Sequence, residues 1–346
     1  MKSIRLSAWG VLLSFLGGVA YGQQQWTWLY KKKFGSQEQE ALGEKNGLTF
    51  YKLDIPAFTQ LIFSWNALRP AKGYFTFAAQ VRDAHSKQWY SWHKMMAWGA
   101  NIQRSFLSQP GDGTSYCHVR LEMDKNLFAD GFRIKIQAHD GADLADLKAC
   151  AASVSDLTLH KPEIITQRLV SLPSVYIEGV PKLSQRILDH PRADHLCSPT
   201  SCTMLTSYLA NRLVNPIECA EKSYDAGLQI YGSWPFNIAH AFEECGGSMF
   251  FAVARLNCFE NIYQRLAQGI PVAVSVRGYL QGAAGPMLNG HFLVVVGWDA
   301  QTQQVICHDP AFESNKKTFR KYPIKSFLEA WERSISPRLA YVAELF

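Results

Sequence analysis

Four residues of this 346-residue chain have types and spacing that could do covalent chemistry: Cys197, Cys202, His291 and Asp309. Cys197 directly precedes Ser198-Pro199, which reads as a helix start with Ser198 as N-cap and Pro199 at the first position, where a missing N–H costs nothing. Free N–H groups and the positive end of the macrodipole there favour a thiolate, the reactive form of a cysteine. Cys202 lies five residues on, about 140° around an α-helix, so the two sulfurs diverge and Cys202 is assigned to the core or to a bridge. A buried or bridged fate is the ordinary alternative for Cys197 too. A nucleophilic thiol needs a base, and His291 opens the apolar run 292–296 behind the Gly-rich loop 278–290, so that a strand fixes its ring while the loop leaves it accessible. The alternative is a solvated strand-entry histidine. Asp309 follows the next strand, Gln304–Cys307; if the two strands pair as a hairpin, its carboxylate approaches His291 and can orient the ring. Asp299 is the rival acid, but it sits eight residues along the same strand, roughly 26 Å away at about 3.3 Å per residue, and suits the turn instead. His190, His195, Cys197 and Cys202 also invite a zinc reading. Their spacing fits no common finger and a helix turns the two cysteines apart, so no metal or organic cofactor is expected.

The elements that must position these residues come after a linker at Lys161-Pro162 that includes Pro173. Helices are predicted from Ser198 to about Leu213, from Asn237 to the stop at Gly246-Gly247, and from about Phe259 to Gln268 before Gly269. Strands are predicted at Ile270–Val276, His291–Trp298, Gln304–Cys307 and Leu339–Leu345. Helices first and strands afterwards is an α+β arrangement.

The preceding stretch, from about Gly47 to His160, alternates with period two, the mark of strands with one buried face. Phe132, Ile134, Ile136 and Ala138 alternate with Arg133, Lys135 and Gln137; Cys117, Val119, Leu121 and Met123 alternate with His118, Arg120 and Glu122, which turns Cys117 inward. Similar runs occur at Leu61–Asn66, Tyr74–Arg82 and Trp89–His93, between turn signals such as Pro70-Ala71-Lys72-Gly73. Some seven short strands without a convincing helix imply an all-β sandwich, jelly-roll-like in type. Cys117 and Cys150 are the best candidates for a disulfide in this half. Trp89 and Trp92 should point to opposite faces of a strand, so at least one leans outward or into an interface, available to a glycan or cell-wall ligand or to packing.

At the N-terminus, Lys2 and Arg5 precede an apolar run from about Ala8 to Ala20 that ends in Ala20-Tyr21-Gly22, the pattern of a secretory signal. No later stretch reaches the 18 or more apolar residues of a membrane helix, so the expected product is exported, secreted or periplasmic, with no membrane span once the signal is cleaved. The expected division is 1–22 signal, 23–162 sandwich and 163–346 α+β domain. With 47% hydrophobic, 18% charged and 13% aromatic residues, the chain is globular rather than disordered, collagenous or coiled-coil. Its net charge of +6 is dispersed; Lys31-Lys32-Lys33, the one dense cluster, reads as a solvated turn, and no nucleic-acid partner is expected.

Taken together, Leu196-Cys197-Ser198-Pro199-Thr200-Ser201-Cys202-Thr203-Met204, Ser233-Trp234-Pro235-Phe236-Asn237, Gly269-Ile270-Pro271-Val272, Gly290-His291-Phe292-Leu293-Val294-Val295-Val296-Gly297 and His308-Asp309-Pro310-Ala311 resemble the C39-like cysteine peptidases, which have a papain-like fold. The resemblance implies Cys197 as nucleophile, His291 as general base and then acid, and Asp309 as the orienting residue. It also implies a role for Gln185, in Val180-Pro181-Lys182-Leu183-Ser184-Gln185, as the oxyanion-hole glutamine acting with the backbone N–H of Cys197. The Gln185–Cys197 gap is longer than in the members that mature double-glycine leader peptides, and Ser198 stands where those usually carry Gly. No P-loop is present, so a free-standing secreted enzyme is expected rather than a peptide exporter. The first domain more weakly resembles the β-sandwich preceding this peptidase type in some exported bacterial proteins, through Phe63-Ser64-Trp65-Asn66 and Trp89-Tyr90-Ser91-Trp92. The expectation is a secreted cysteine peptidase acting on a peptide or protein; the rivals are a cell-wall peptide amidase or acyltransferase of the same chemistry, and an inactive binding module.

Overall fold

Alternating apolar residues build eleven strands in the first half of the computed structural model, which describes residues 24–35, 47–334 and 336–346. The expected signal segment lies outside the described residues. In chain order the strands are β1 (Thr27–Lys33), β2 (Gly47–Lys52), β3 (Gln60–Ala67), β4 (Tyr74–Asp83), β5 (His93–Gly99), β6 (Gln103–Ser105), β7 (Gln109–Pro110), β8 (Thr114–Cys117), β9 (Arg120–Met123), β10 (Ala129–His139) and β11 (Leu147–Ser155). They form two antiparallel sheets, ordered β1-β11-β3-β9-β8-β7 and β2-β10-β4-β5-β6. Phe132, Ile134 and Ile136 of β10 point into one core with Phe63, Trp65, Phe77 and Trp98, while Lys135 faces out. Trp65 stacks on Phe77 at 4.4 Å and meets Trp98 edge-on at 5.8 Å, the offset geometries aromatic pairs favour.

Several expectations for this half are corrected. Lys31, Lys32 and Lys33 lie in β1, paired with β11, rather than in a turn; Lys31 binds Glu344 at 2.6 Å. The run from Cys117 to Met123 is not one strand: β8 and β9 form a hairpin in which Cys117 faces Arg120, and His118 and Val119 make the two-residue loop with φ of +46° and +58°. Two left-handed residues are what a tight hairpin needs, and the turn shifts the alternation, so Tyr116 rather than Cys117 is buried. Nor can Cys117 bridge Cys150. They occupy β8 and β11 with β9 and β3 between them, about 14 Å at ~4.8 Å per strand, and both are free. Trp89 and Trp92 precede β5 outside regular strand, so they do not diverge; Arg133 lies over both rings, at 4.3 and 5.1 Å.

The second half is built on β12 (Val175–Tyr176), β13 (Met249–Arg255), β14 (Val272–Gly278), β15 (Met287–Asp299), β16 (Gln304–His308), β17 (Phe319–Pro323) and β18 (Leu339–Leu345). Their sheet runs β13-β18-β14-β15-β16-β17, with β12 added against β15. Its principal helices are α1 (Cys197–Leu209), α2 (Pro216–Ser223), α3 (Trp234–Glu244), α4 (Phe259–Ala267) and α5 (Ile324–Glu332). α1 packs on β15, where Ser201 Oγ donates to the Phe292 carbonyl at 3.0 Å. Strand β13 breaks the expected order of helices before strands; all seven of its residues are buried, so it carries no alternation to read. α3 starts at Trp234, three residues earlier than expected, with Pro235 in its first turn. Among the described residues no helix is long and apolar enough to cross a membrane.

The two halves share a seam. Alternate residues of β3 serve different partners: Leu61, Phe63 and Trp65 fill the sandwich, while Ile62 joins the core of the second half with Ala149 and Ala151 of β11. The polar residues of the same face replace a missing neighbour for the edge strand β13. Asn66 donates to Phe251 O at 2.8 Å and accepts from Phe251 N at 2.7 Å, Ser64 Oγ accepts from Val253 N at 3.3 Å, and Ser153 Oγ accepts from Arg255 N at 3.2 Å. A second contact ties β6 to the segment after α2. Gly227 is required there, because a Cβ would stand 1.8 Å from the Ser105 carbonyl oxygen.

Candidate active site

Cys197 is the first residue of α1, with no side-chain cap ahead of it, so its sulfur sits among the unpaired N–H groups of the first turn. Ser198 does not cap the helix as expected; its hydroxyl bonds Tyr341 Oη at 2.7 Å. Burial would raise the Cys197 thiol, but a hydrogen bond from His291, the charge of that ring, and the Phe292 and Ser198 N–H groups bring it below the ordinary thiol range. Cys202 lies on the buried side of the same helix, donating to Asn237 O at 3.2 Å. Contact with Cys219 and burial raise its thiol well above that range, so the two sulfurs differ in ionisation as well as direction.

His291 lies within β15, paired with Val276 of β14, and Asp309 is the residue after β16. A bulge decides whether they meet. From Asp299↔Gln304 to Gly297↔Ile306 the register is constant, but β15 then inserts Val296, so that Val295 faces Cys307 and Val294 faces His308. Carried one residue further, the shift sets Asp309 level with Leu293, on the face shared with His291; without it Asp309 would fall on the opposite face. The carbonyl of the extra Val296 is taken up by Ile177 N at 2.8 Å. Gly297 makes room for this, since a Cβ there would lie 2.5 Å from Val175 O.

His291 Nε2 donates to Asp309 Oδ1 at 2.7 Å, which leaves Nδ1 for the thiol. Asp309 is held by Tyr322 Oη, donating to Oδ2 at 2.6 Å, and by Ala311 N, donating to Oδ1 at 2.9 Å. Burial disfavours charge on both groups, yet their partners overcome it: Asp309, with a share from Cys197, pushes the imidazole up to about 10, and His291, Tyr322 and Ala311 hold the carboxyl below its usual range. Asp299 serves its turn, accepting from Gln301 N at 3.1 Å and Thr302 N at 3.2 Å.

Gln185 reaches the same cleft through the segment 180–188, which docks on the loop after β16. Gln185 N donates to Pro310 O at 3.0 Å and His308 Nδ1 bonds Pro181 O at 3.0 Å. Its side-chain Nε2 donates to Ala193 O at 3.0 Å, which fixes the amide orientation and uses one of its two hydrogens. A cleft of about 800 Å³ opens between Gln185, Cys197 and His291, with Arg186 and Arg192 in its lining. The other residues weighed as metal ligands are dispersed: His190 bonds Glu221 at 3.0 Å, and His195 is exposed.

Tyr322 escaped sequence reasoning, because only the β16–β17 register, Val305 against Tyr322, brings it beneath Asp309. The hairpin residues His118 and Val119 escaped for the same kind of reason; they line a pocket together with Cys197 from the other half of the molecule.

A thiol at the start of a central helix, set against an imidazole on an antiparallel sheet, places this half of the chain among papain-like α+β folds. Residues 177–336 match the Peptidase_C39 like family, and this region is a C39-like peptidase domain preceded by all-β sheets. That family is one of peptidases, which act on peptide or protein. No curated protein matches the chain.

Proposed function

We propose that the chain is a secreted cysteine peptidase in which Cys197, His291 and Asp309 form the catalytic triad. The observation that carries this reading is the continuous contact from thiol to imidazole to buried carboxylate, with His291 Nε2 2.7 Å from Asp309 and the thiol lowered by His291. The Cys197 thiolate attacks the scissile carbonyl, and the electron pair moves to oxygen. The second Nε2 hydrogen of Gln185 and the N–H of Cys197 are suited to receive that oxyanion. On collapse the C–N bond breaks, His291 delivers its Nδ1 proton to the leaving amine, and a thioester remains on Cys197. The now neutral His291 takes a proton from water, hydroxide adds to the thioester, and the acid leaves as the thiolate–imidazolium pair is restored.

Incubation with a peptide library and with purified peptidoglycan, read by mass spectrometry, tests this directly. Cleavage by the wild type and its loss in Cys197→Ala is the expected result; no cleavage, or cleavage that survives Cys197→Ala, overturns it. The amidase reading uses the same nucleophile and is distinguished by which of the two substrates is cut. A binding role for the sandwich has one feature in its favour: Trp92, 41% exposed, lies against Arg133, which also covers Trp89, an aromatic surface on which a sugar ring could stack.

A further inference from the structure

The cleft has a second lobe, of about 310 Å³, on the Ser198 side of Cys197. One wall belongs to the peptidase half, with Leu228, Trp234 and Phe292; the other is the tip of the β8–β9 hairpin, with His118, Val119 and Arg120. We propose that this hairpin forms part of the substrate site, and that the lobe it closes selects peptides with a bulky apolar side chain next to the scissile bond. This rests on the assignment of Cys197 as nucleophile.

Three observations converge on it. The lobe opens at Cys197 and His291 and presents mainly apolar surface, from Val119, Leu228, Ile230, Trp234 and Phe292 set among polar residues such as Arg120 and Arg277, at a volume that suits one large side chain. Val119, only 4% exposed, is held at φ +58°, a region β-branched residues rarely enter. Asn or Gly would make the same turn without strain, so the turn alone does not call for valine; its isopropyl group packs on the sandwich core and also lines the lobe. Beside it, Arg120 bonds Glu122 through Nε at 2.8 Å and lies 5.8 Å from the Trp234 ring, while its buried Nη1 has no hydrogen-bond partner among the described residues. The hairpin is held in place because β9 pairs with β3, whose Trp65 packs edge-on against Phe236 of α3, and Arg120 lies over Trp234 of the same helix, as a size filter requires.

The test is a positional-scanning peptide library cleaved by the wild type and by Val119→Gly and Val119→Asn, both compatible with the left-handed backbone. The wild type should favour bulky apolar residues at one position flanking the cut. Val119→Gly enlarges the lobe and should raise the kcat/KM ratio of Trp over Leu at that position at least tenfold; Val119→Asn should reduce the preference for Leu over Ser at least tenfold. If the glycine variant does not fold, as read by circular dichroism, the asparagine variant decides. Folded variants with the wild-type profile, or a wild type that cleaves without apolar preference, overturn this inference alone. A wild type that cleaves no peptide overturns the peptidase reading and this one with it.

Discussion

Replacing Asp309 by Asn removes one charge from the site while keeping the bonds from His291 and Ala311, with only the Tyr322 bond reversed in direction. Oδ1 accepts from both His291 and Ala311 N, so the amide oxygen of an asparagine is held on that side, and its NH2 turns to Tyr322 Oη. The imidazole then keeps its Nε2 hydrogen, and the loss is electrostatic. With the side chains of His291 and Asp309 5% and 0% exposed, unit charges about 4 Å apart interact by about 4 kcal/mol at an effective dielectric of ~20. The rise of His291 from 6.5 to about 10 corresponds to about 5 kcal/mol, which also includes the share of Cys197. At about 1.4 kcal/mol per decade, Asp309→Asn should lower the thiolate–imidazolium population, and kcat with it, by about 10³. Alkylation by iodoacetamide followed on the Cys197 peptide by mass spectrometry needs no substrate: at pH 6 the variant should react about 10³-fold more slowly, regaining rate as pH rises. Slowing of less than tenfold at pH 6, in a variant with an unchanged melting curve, would refute the reasoning.

Activity of the wild type should rise as the lowered Cys197 thiol ionises and fall as His291 loses its proton near pH 10, a limb that a pH–rate profile locates. The same pair affects stability. His291 is raised, so its contribution is full below its ordinary 6.5 and fades as pH climbs to about 10; Asp309 is lowered, so its contribution is present above 3.8 and fades as pH falls. The melting-temperature gap between wild type and His291→Gln should therefore be widest between about pH 4 and 6.5 and narrow toward pH 10. Gln185→Ala should cost about 2.7–4 kcal/mol in kcat with little change in the Cys197 alkylation rate, since the glutamine meets the oxyanion rather than the thiol. Asn66→Ala strands the Phe251 N–H and C=O at the seam and should cost about 2–5 kcal/mol in urea unfolding.

What the sequence disclosed follows from how locally each feature is encoded. Cys197 at a helix start and His291 at an apolar strand are signalled by their immediate neighbours, and Asp309 by its distance from a second strand; all three converge. Gln185 has no such local signal and came only through likeness to a family. Features written in register were illegible: the Val296 bulge, Tyr322 under the carboxylate, and a hairpin turn disguised by a β-branched residue as continuous strand. Strand β13 defeats period-two reading for a related reason, because it has no face in water.

The row of Asn66, Ser64 and Ser153 along β13 has a further consequence for handling the protein. These side chains act as a tailored strip over a bare strand margin, and they come away together if the halves part. Any mild stress that opens the joint before it melts either core uncovers a ready template for a second molecule, so concentrated samples should clump through this margin first, at temperatures where circular dichroism still reports intact sheets.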